Sequence, residues 1–119
     1  MKLWLDDCRP APEGWVLVKT VSQAQDAIQK GLRSPEGFEE ASLDHDLGVC
    51  GDCTETCGSG PWPIVTVKEG NCDHNGTGYQ LVVWMAEYGL WPVQKPLVHS
   101  WNPVGKKAME AVIERHFPR

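Results

Sequence analysis

The chain has 119 residues, the length of one domain, and 41% of them are hydrophobic, so it can form a packed core. The net charge of −5 argues against general DNA binding and against attachment to a membrane surface, because both need a basic patch. No apolar run reaches the length of about 18 residues that a transmembrane helix needs. Acidic residues follow too soon after Met1 for a signal peptide, so we expect a single cytoplasmic domain over residues 1–119.

The first half of the chain predicts three strands and one helix. In chain order they are a strand at 3–5, a strand at 15–19, a helix from Thr20 or Ser22 to about Lys30, and a strand at 38–44. A loop at 9–14 separates the first two strands, because two prolines and a glycine do not fit a regular element. The helix is amphipathic, and its expected buried face consists of Val21, Ala24, Ile28 and Leu32.

The second half predicts two further helices with a strand between them. They are a helix at 77–88, a strand at 96–100 and a helix at 104–117. Asn102 is a typical helix cap, and Pro103 is a typical first helical residue. The expected buried face of the last helix consists of Val104, Ala108, Met109, Val112 and Ile113. Strands that alternate with helices indicate an α/β fold, and right-handed connections favour a small three-layer, flavodoxin-like parallel sheet with the strand order 2-1-3-4.

Residues 49–76 form an insertion that does not fit this pattern, because a loop between a strand and a helix normally has about 2–6 residues. The segment contains two short-spaced pairs of metal-binding residues, which is the ligand arrangement of a zinc site. The expected ligands are Cys50, Cys53, Cys72 and His74, with Cys57 as an alternative to His74. Four protein ligands close the coordination shell, so we expect a structural Zn²⁺ that staples the insertion. Free thiols and a disulfide-bonded loop are the alternatives.

Acidic residues follow two of the predicted strands. Asp6 and Asp7 end the first strand, and Asp44 and Asp46 end the third. Ligands of open α/β sheets bind beyond the carboxyl ends of the strands, so these side chains converge if the two strands are neighbours. Carboxylates that lie close together repel one another, and a hard divalent cation such as Mg²⁺ or Mn²⁺ relieves the repulsion. The alternative is that they are ordinary loop acids and a helix cap.

A second candidate group lies where the fourth strand meets the last helix. His99 has an ordinary pKa near neutrality and is a candidate acid–base group. Ser100 and Asn102 precede the helix, whose N-terminus offers unpaired N–H groups to a phosphate. Arg9, beyond the first strand, is a candidate for binding phosphate oxygens. A buried histidine, a simple helix cap and a surface ion pair are the corresponding alternatives.

Four blocks of the sequence resemble one known family. They are residues 3–15, which begin Leu-Trp-Leu-Asp-Asp, 42–48 (Ser-Leu-Asp-His-Asp-Leu-Gly), 76–79 (Gly-Thr-Gly-Tyr) and 99–105, followed by Met109. In this order they are similar to the cyclic-phosphate-processing receiver-like family, a variant of the response-regulator receiver fold, over nearly the whole chain. By this resemblance Asp6 and Asp7 match the metal-binding acidic pair of receivers, and Asp44 matches the aspartate that receivers phosphorylate. The insertion resembles a zinc-binding insertion of some members.

His99 stands roughly where receivers have a lysine, so a titratable imidazole replaces a fixed cation, and this favours turnover over stable storage of phosphate. The resemblance implies a metal-dependent phosphoesterase that acts on a cyclic phosphate, either a 2′,3′-cyclic RNA end or a cyclic nucleotide. The expected partner is therefore a phosphorylated small molecule or an RNA end. Asp6, Asp7 and Asp44 are expected to hold Mg²⁺ or Mn²⁺, and His99, Asp46 or His45 to move the proton. The alternative is a non-catalytic receiver-like module that signals or senses a nucleotide and is stabilised by zinc.

Overall fold

The structure, a computed structural model, describes residues 1–48 and 75–118. Its elements are β1 (Lys2–Leu5), β2 (Val16–Val18), α1 (Val21–Arg33), β3 (Glu40–Leu43), α2 (Gly78–Tyr88), β4 (Leu97–Val98) and α3 (Pro103–His116). Each predicted element overlaps one of these, in the predicted order. The predicted zinc ligands Cys50, Cys53, Cys57, Cys72 and His74 lie outside the described residues.

The four strands form one parallel sheet in the order β2-β1-β3-β4, as predicted. Leu5, the last residue of β1, pairs with Val18 on one side and with Leu43 on the other. Both pairings continue by one hydrogen bond, because the N–H of Asp6 donates to Val18 and the N–H of Asp44 donates to Leu5. Asp6 and Asp44 are therefore the first residues beyond two adjacent strands.

The buried core lies on one face of this sheet. In β1 and β3 the side chains of Leu3, Leu5, Ala41 and Leu43 point to that face and are buried. All three helices contribute to the same core, and they pack in a row, with α1 on α2 and α2 on α3. The three described helices therefore all lie on one face of the sheet.

The direction of the chain explains why the helices share a face. The chain moves across the sheet in one direction from β2 to β3 and on to β4, and right-handed connections in one direction place their helices on one face. The step from β1 to β2 goes the other way, so a helix there would cover the opposite face. That connection is the loop at 6–15, which contains no helix.

The helix ends match the capping signals, but two predicted core residues are exposed. The Thr20 side chain accepts a hydrogen bond from the N–H of Gln23, and α1 continues to Arg33. Leu32 is 43% exposed, because Gly31 instead lies at the buried position beneath Met1. In α3, Val104 is 78% exposed, and the residue that points inward in the first turn is Gly105. Among the residues described, no helix has the length and apolarity needed to cross a bilayer.

Candidate functional site

Three carboxylates meet beyond the carboxyl ends of β1 and β3. One carboxylate oxygen from each of Asp6, Asp7 and Asp44 lies within 4.8 Å of the others. Asp6 is 1% exposed and Asp44 is 8% exposed, whereas Asp7 faces solvent. The strand pairing brings the three residues together, because Asp6 and Asp44 directly follow paired strand ends.

Asp6 is held in place as a charged group. Its Oδ1 accepts hydrogen bonds from the N–H groups of Cys8 (2.8 Å) and Arg9 (3.0 Å), and its Oδ2 lies 3.0 Å from Nε2 of His99. Burial opposes ionisation of this carboxyl, but the hydrogen bonds from Arg9, Cys8 and His99 outweigh it and lower the pKa of Asp6 below its ordinary value. Asp6 is therefore a fixed negative charge at neutral pH.

The ionised forms of Asp7 and Asp44 are less favourable than that of Asp6. Although the Asp7 side chain faces solvent, partial desolvation of its carboxylate, followed by the negative charges of Asp6 and Asp46, raises the pKa of Asp7. Burial and the charge of Asp6 likewise raise the pKa of Asp44, although the N–H of His45 and the Ser100 side chain form hydrogen bonds with its carboxylate. A divalent cation among these oxygens would relieve the repulsion, so the donor set fits a hard ion such as Mg²⁺ or Mn²⁺.

Gly48 makes room for Asp7. Its φ of +71° is in the left-handed region, and a Cβ there would lie 2.7 Å from Oδ2 of Asp7. A side chain at position 48 would thus be strained and would also displace one carboxylate of the cluster. The sequence alone did not assign this role to Gly48.

His99 is a half-buried partner of Asp6, with both ring nitrogens in use. Its Nε2 faces Oδ2 of Asp6, and its Nδ1 lies 2.7 Å from Oγ of Ser42. Because an ionised carboxylate only accepts, Nε2 carries the proton and Nδ1 accepts from the Ser42 hydroxyl. The ring stacks on Trp4 at a centroid distance of 4.0 Å. Burial outweighs the nearby carboxylates and lowers the pKa of His99, so the ring is neutral at pH 7.

Trp4 and Ser42 were not predicted to belong to this site. They pair with each other in the register of β1 and β3 and point to the face opposite the helices. The sequence did indicate the face on which Trp4 lies. Side chains alternate between the two faces of a strand, and Trp4 lies between Leu3 and Leu5, which face the helices. Trp4 therefore supports His99 and is not part of the main core.

His45 forms a second, differently arranged group with Asp46 and Asn102. Its Nδ1 lies 2.9 Å from Oδ1 of Asp46, and the Asn102 amide nitrogen lies 3.4 Å from Oδ2 of the same carboxylate. The imidazole ring packs against the backbone of Gly105 at the start of α3. Since Asp46 accepts from Nδ1–H, the neutral ring presents an unprotonated Nε2, to which no described residue donates a hydrogen bond. This pairing can serve acid–base chemistry.

The start of α3 has little capacity to bind a phosphate. Pro103 has no N–H, and the N–H of Gly105 donates to Oδ1 of Asn102 over 3.0 Å. The N–H of Lys106 donates to the carbonyl of Asn102, so within the described chain only Val104 keeps a free N–H in the first turn. Asn102 therefore acts as a helix cap whose amide group also contacts Asp46.

Arg9 lies between the carboxylates and an exposed indole ring. Its Nη1 donates to the carbonyl of His99, and its Nε lies 3.8 Å from Oδ2 of Asp6. The guanidinium also lies over the ring of Trp101, 5.4 Å from the centroid. Ser100 lies beside the carboxylates and precedes Trp101 in the chain. Its hydroxyl forms a hydrogen bond with Asp44 and accepts one from the N–H of Asn102. The sequence had not singled out Trp101.

The ends of the insertion meet beside this site. Asp46 and Thr77 form an antiparallel bridge, and the Asn75 side chain donates to the carbonyl of Leu47 over 3.1 Å. Thr77 caps α2, and the N–H of Gly78 donates to the carbonyl of His45. Residues 75–78, whose sequence resembles a glycine-rich phosphate loop only weakly, thus form a turn and a helix cap.

Comparison with known proteins identified one family. The chain matches the family described as the cyclic-phosphate processing receiver domain over residues 1–115, which is nearly its whole length. No curated protein and no solved structure matched it. The matched region contains all of the carboxylates, both histidines and the arginine described above.

Proposed function

Because the chain belongs to the cyclic-phosphate processing receiver family, we propose that it is a metal-dependent phosphoesterase that opens a cyclic phosphate. The substrate would be a 2′,3′-cyclic RNA end or a cyclic nucleotide. The observation that carries this proposal is the carboxylate cluster of Asp6, Asp7 and Asp44, in which two of the three pKa values are raised. A surface cluster without a role has no reason to bury two like charges at adjacent strand ends.

Asp6, Asp7 and Asp44 would hold a Mg²⁺ or Mn²⁺ ion. When bound, the ion would polarise the phosphoryl group and lower the pKa of a water molecule. Asp6 is suited to be the permanent ligand, since its lowered pKa keeps it charged. His99 fixes the orientation of Asp6, and Trp4 and Ser42 fix that of His99.

His45 is the group best placed to accept a proton. Both nitrogens of His99 are occupied, whereas His45 uses Nδ1 towards Asp46, which orients the ring and leaves Nε2 as its accepting nitrogen. In the reaction, His45 would take a proton from the attacking water as its oxygen bonds to phosphorus. One ester P–O bond of the ring breaks, and the departing oxygen receives a proton, which leaves a phosphate monoester.

Arg9 would bind the non-bridging phosphate oxygens. Only part of its donor capacity is used by His99 and Asp6, and a guanidinium has five N–H groups. Ser100, in contact with Asp44, would be a second contact for the substrate. Asn102 would act mainly through Asp46, because its amide is already engaged there and in the helix cap.

We also propose a structural Zn²⁺ in the insertion, bound by Cys50, Cys53, Cys72 and either His74 or Cys57. These residues lie outside the described part of the chain, so the support is the spacing of the ligands in the sequence. Zinc measured after dialysis should approach one ion per chain. Protein that is free of zinc and yet resists proteolysis equally well within residues 49–74 would reject this proposal.

The deciding experiment for the reaction is a ring-opening assay. Purified protein with Mg²⁺ or Mn²⁺ should open one member of a panel of 2′,3′-cyclic, 3′,5′-cyclic and cyclic oligonucleotide phosphates. Asp44→Asn should lower the rate by about 10²–10³, as expected when a charged transition-state contact is lost. Asp26→Asn, which changes an exposed acid of α1, is the matched control and should keep the rate. Equal activity in Asp44→Asn would reject the mechanism.

A non-catalytic signalling or sensing module is the second candidate, since Asp44 occupies the strand-end position of a phosphoacceptor. A receiver that stores phosphate needs a cation beside it, and the neutral His99 does not supply one. Acetyl phosphate should therefore fail to label the wild type stably. Stable labelling that Asp44→Asn abolishes would favour the signalling role.

A further inference from the structure

Trp101 is held out into solvent by a turn whose other residues are all anchored. Its side chain is 86% exposed, the highest value among the large hydrophobic residues of the described chain. On one side His99 is bonded to Ser42 and Asp6, and on the other Asn102 caps α3. The position of the Trp101 backbone is thus fixed, while its ring contributes almost no buried area to the fold.

Within the described part of the chain, the Trp101 ring contacts a residue that also lies beside the carboxylates. The Arg9 guanidinium lies 5.4 Å from the ring centroid, within range of a cation–π interaction. The same guanidinium is held by the carbonyl of His99 and lies near Asp6. A ligand phosphate at Arg9 would therefore have an aromatic surface one side chain away.

We propose that Trp101 is a stacking platform for a nucleobase, so that the cyclic phosphate is presented on a nucleoside or at an RNA end. The inference rests on the proposed function, which places the phosphate at Arg9 and the carboxylates. A nucleotide separates its phosphate from its base by one sugar, which matches a phosphate at Arg9 and a base on Trp101. Base–aromatic stacking tolerates any base, since every base has a π-face.

Exposure distinguishes this role from a structural one. A tryptophan that stabilised the fold would bury its ring, as Trp4 does against His99 and Trp15. The Arg9 contact alone covers little of the Trp101 ring, as its 86% exposure shows. Trp101→Ala should therefore leave the melting temperature within the range of other surface substitutions.

Binding is the first test, with a ligand that cannot be ring-opened. Adenosine 3′-phosphate should bind the wild type, in the presence of Mg²⁺, about tenfold or more tightly than glycerol phosphate does, measured by calorimetry. Trp101→Ala should remove this advantage, and Trp101→Phe should retain most of it. Tyr88→Ala is the matched control, because Tyr88 is an exposed aromatic residue at the far end of α2.

Spectra should report the same contact directly. In a ¹⁵N spectrum, the indole N–H signal that Trp101→Phe removes should shift when adenosine 3′-phosphate is added. Equal affinity of the wild type for adenosine 3′-phosphate and glycerol phosphate would overturn the proposal, and so would wild-type affinity in Trp101→Ala.

Turnover separates this proposal from the function on which it rests. The wild type should prefer adenosine 2′,3′-cyclic phosphate over glycerol 1,2-cyclic phosphate, and Trp101→Ala should lower that preference about tenfold. Binding that depends on Trp101 without any ring opening would support the platform and reject the phosphoesterase. Ring opening of both compounds without a Trp101-dependent preference would support the phosphoesterase and reject the stacking platform.

Discussion

The two histidines of the site differ in how their ring nitrogens are used. His99 donates through Nε2 to Asp6 and accepts through Nδ1 from Ser42, so it has no nitrogen left for a substrate. Among the described residues, His45 forms a hydrogen bond only through Nδ1, which faces Asp46. In the proposed reaction, the same residue type would therefore position a metal ligand at one place and transfer a proton at the other.

Replacing each histidine should give a different kinetic defect. We expect His45→Ala to lower kcat by about 10²–10⁴ and to remove one limb of the pH–rate profile, because the proton acceptor is lost. We expect His99→Ala to keep the shape of the profile but to raise the Mg²⁺ requirement about 10-fold to 100-fold, because Asp6 loses its orienting partner. His116→Ala, at the exposed end of α3, is the control. A pH profile that changes with His99 and not with His45 would reverse the assignment.

Asp44 is expected to destabilise the protein when no cation is bound. Its folded pKa is raised, so its favourable contribution is complete below the unfolded value near 3.8 and is lost as the pH rises through the folded value. At pH 7, in buffer without divalent ions, Asp44→Asn should therefore raise the free energy of unfolding by about 0.5–2 kcal/mol. Urea denaturation measures this change.

Mg²⁺ should reverse the order of stability of the wild type and Asp44→Asn. Mg²⁺ should raise the melting temperature of the wild type, because binding to the folded state alone stabilises it, and should have a smaller effect on Asp44→Asn. Asp26→Asn should behave as the wild type in both buffers. A wild type that is more stable than Asp44→Asn without divalent ions would contradict the repulsion described here.

At the scale of the elements, local signals predicted most of what the structure shows. Thr20, Thr77 and Asn102 all cap helices, since each accepts a hydrogen bond from the first turn. The acids at the strand ends could be predicted because parallel strands end on one edge. The common face of the three described helices could be predicted too, because right-handed connections that cross the sheet in one direction place their helices on one face.

The parts of the site that escaped prediction depend on contacts between distant residues. The stack of Trp4 on His99 requires β1 and the residue that follows β4 to lie across β3 from each other. The alternation along β1 shows that Trp4 faces away from Leu3 and Leu5, but it does not show that His99 lies on that face. The exposure of Trp101 likewise follows from the anchoring of its neighbours, which the sequence does not reveal.

The packing of α3 on His45 leads to a prediction about Gly105. A Cβ at this position would lie 2.5 Å from Cγ of His45. In an open helix, Gly→Ala stabilises by about 1 kcal/mol, but overpacking costs about 1–3 kcal/mol, so Gly105→Ala should destabilise the protein or leave it unchanged. It should also lower activity, because the His45 ring moves. Lys107→Ala, on the exposed side of α3, is the control, and a clear gain in stability for Gly105→Ala would contradict the contact.

At the scale of the whole molecule, the described helices and strands share one hydrophobic core. The base of the insertion is closed by Asn75, Leu47 and the Asp46–Thr77 bridge. Residues 46–47 and 75–77, on the two sides of the insertion, are therefore neighbours.

We expect the insertion to be removable. A variant in which a short Gly-Ser linker replaces residues 49–74 should keep the circular dichroism of the domain and a cooperative thermal transition. Its zinc content should fall to zero, because Cys50, Cys53, Cys57, Cys72 and His74 are all deleted. A variant that fails to fold, while the full chain without zinc folds normally, would show that residues 49–74 contribute to the core.

The closed base of the insertion also bears on how such a protein can evolve. A segment whose two ends are already joined can gain or lose residues without moving either strand or helix beside it, because loop length adds only slowly to the entropy of closure. Yet the same junction includes Asp46, the partner of His45. If Asp46 has the proposed role, natural changes in the length of this segment would lower activity before they lowered the stability of the fold.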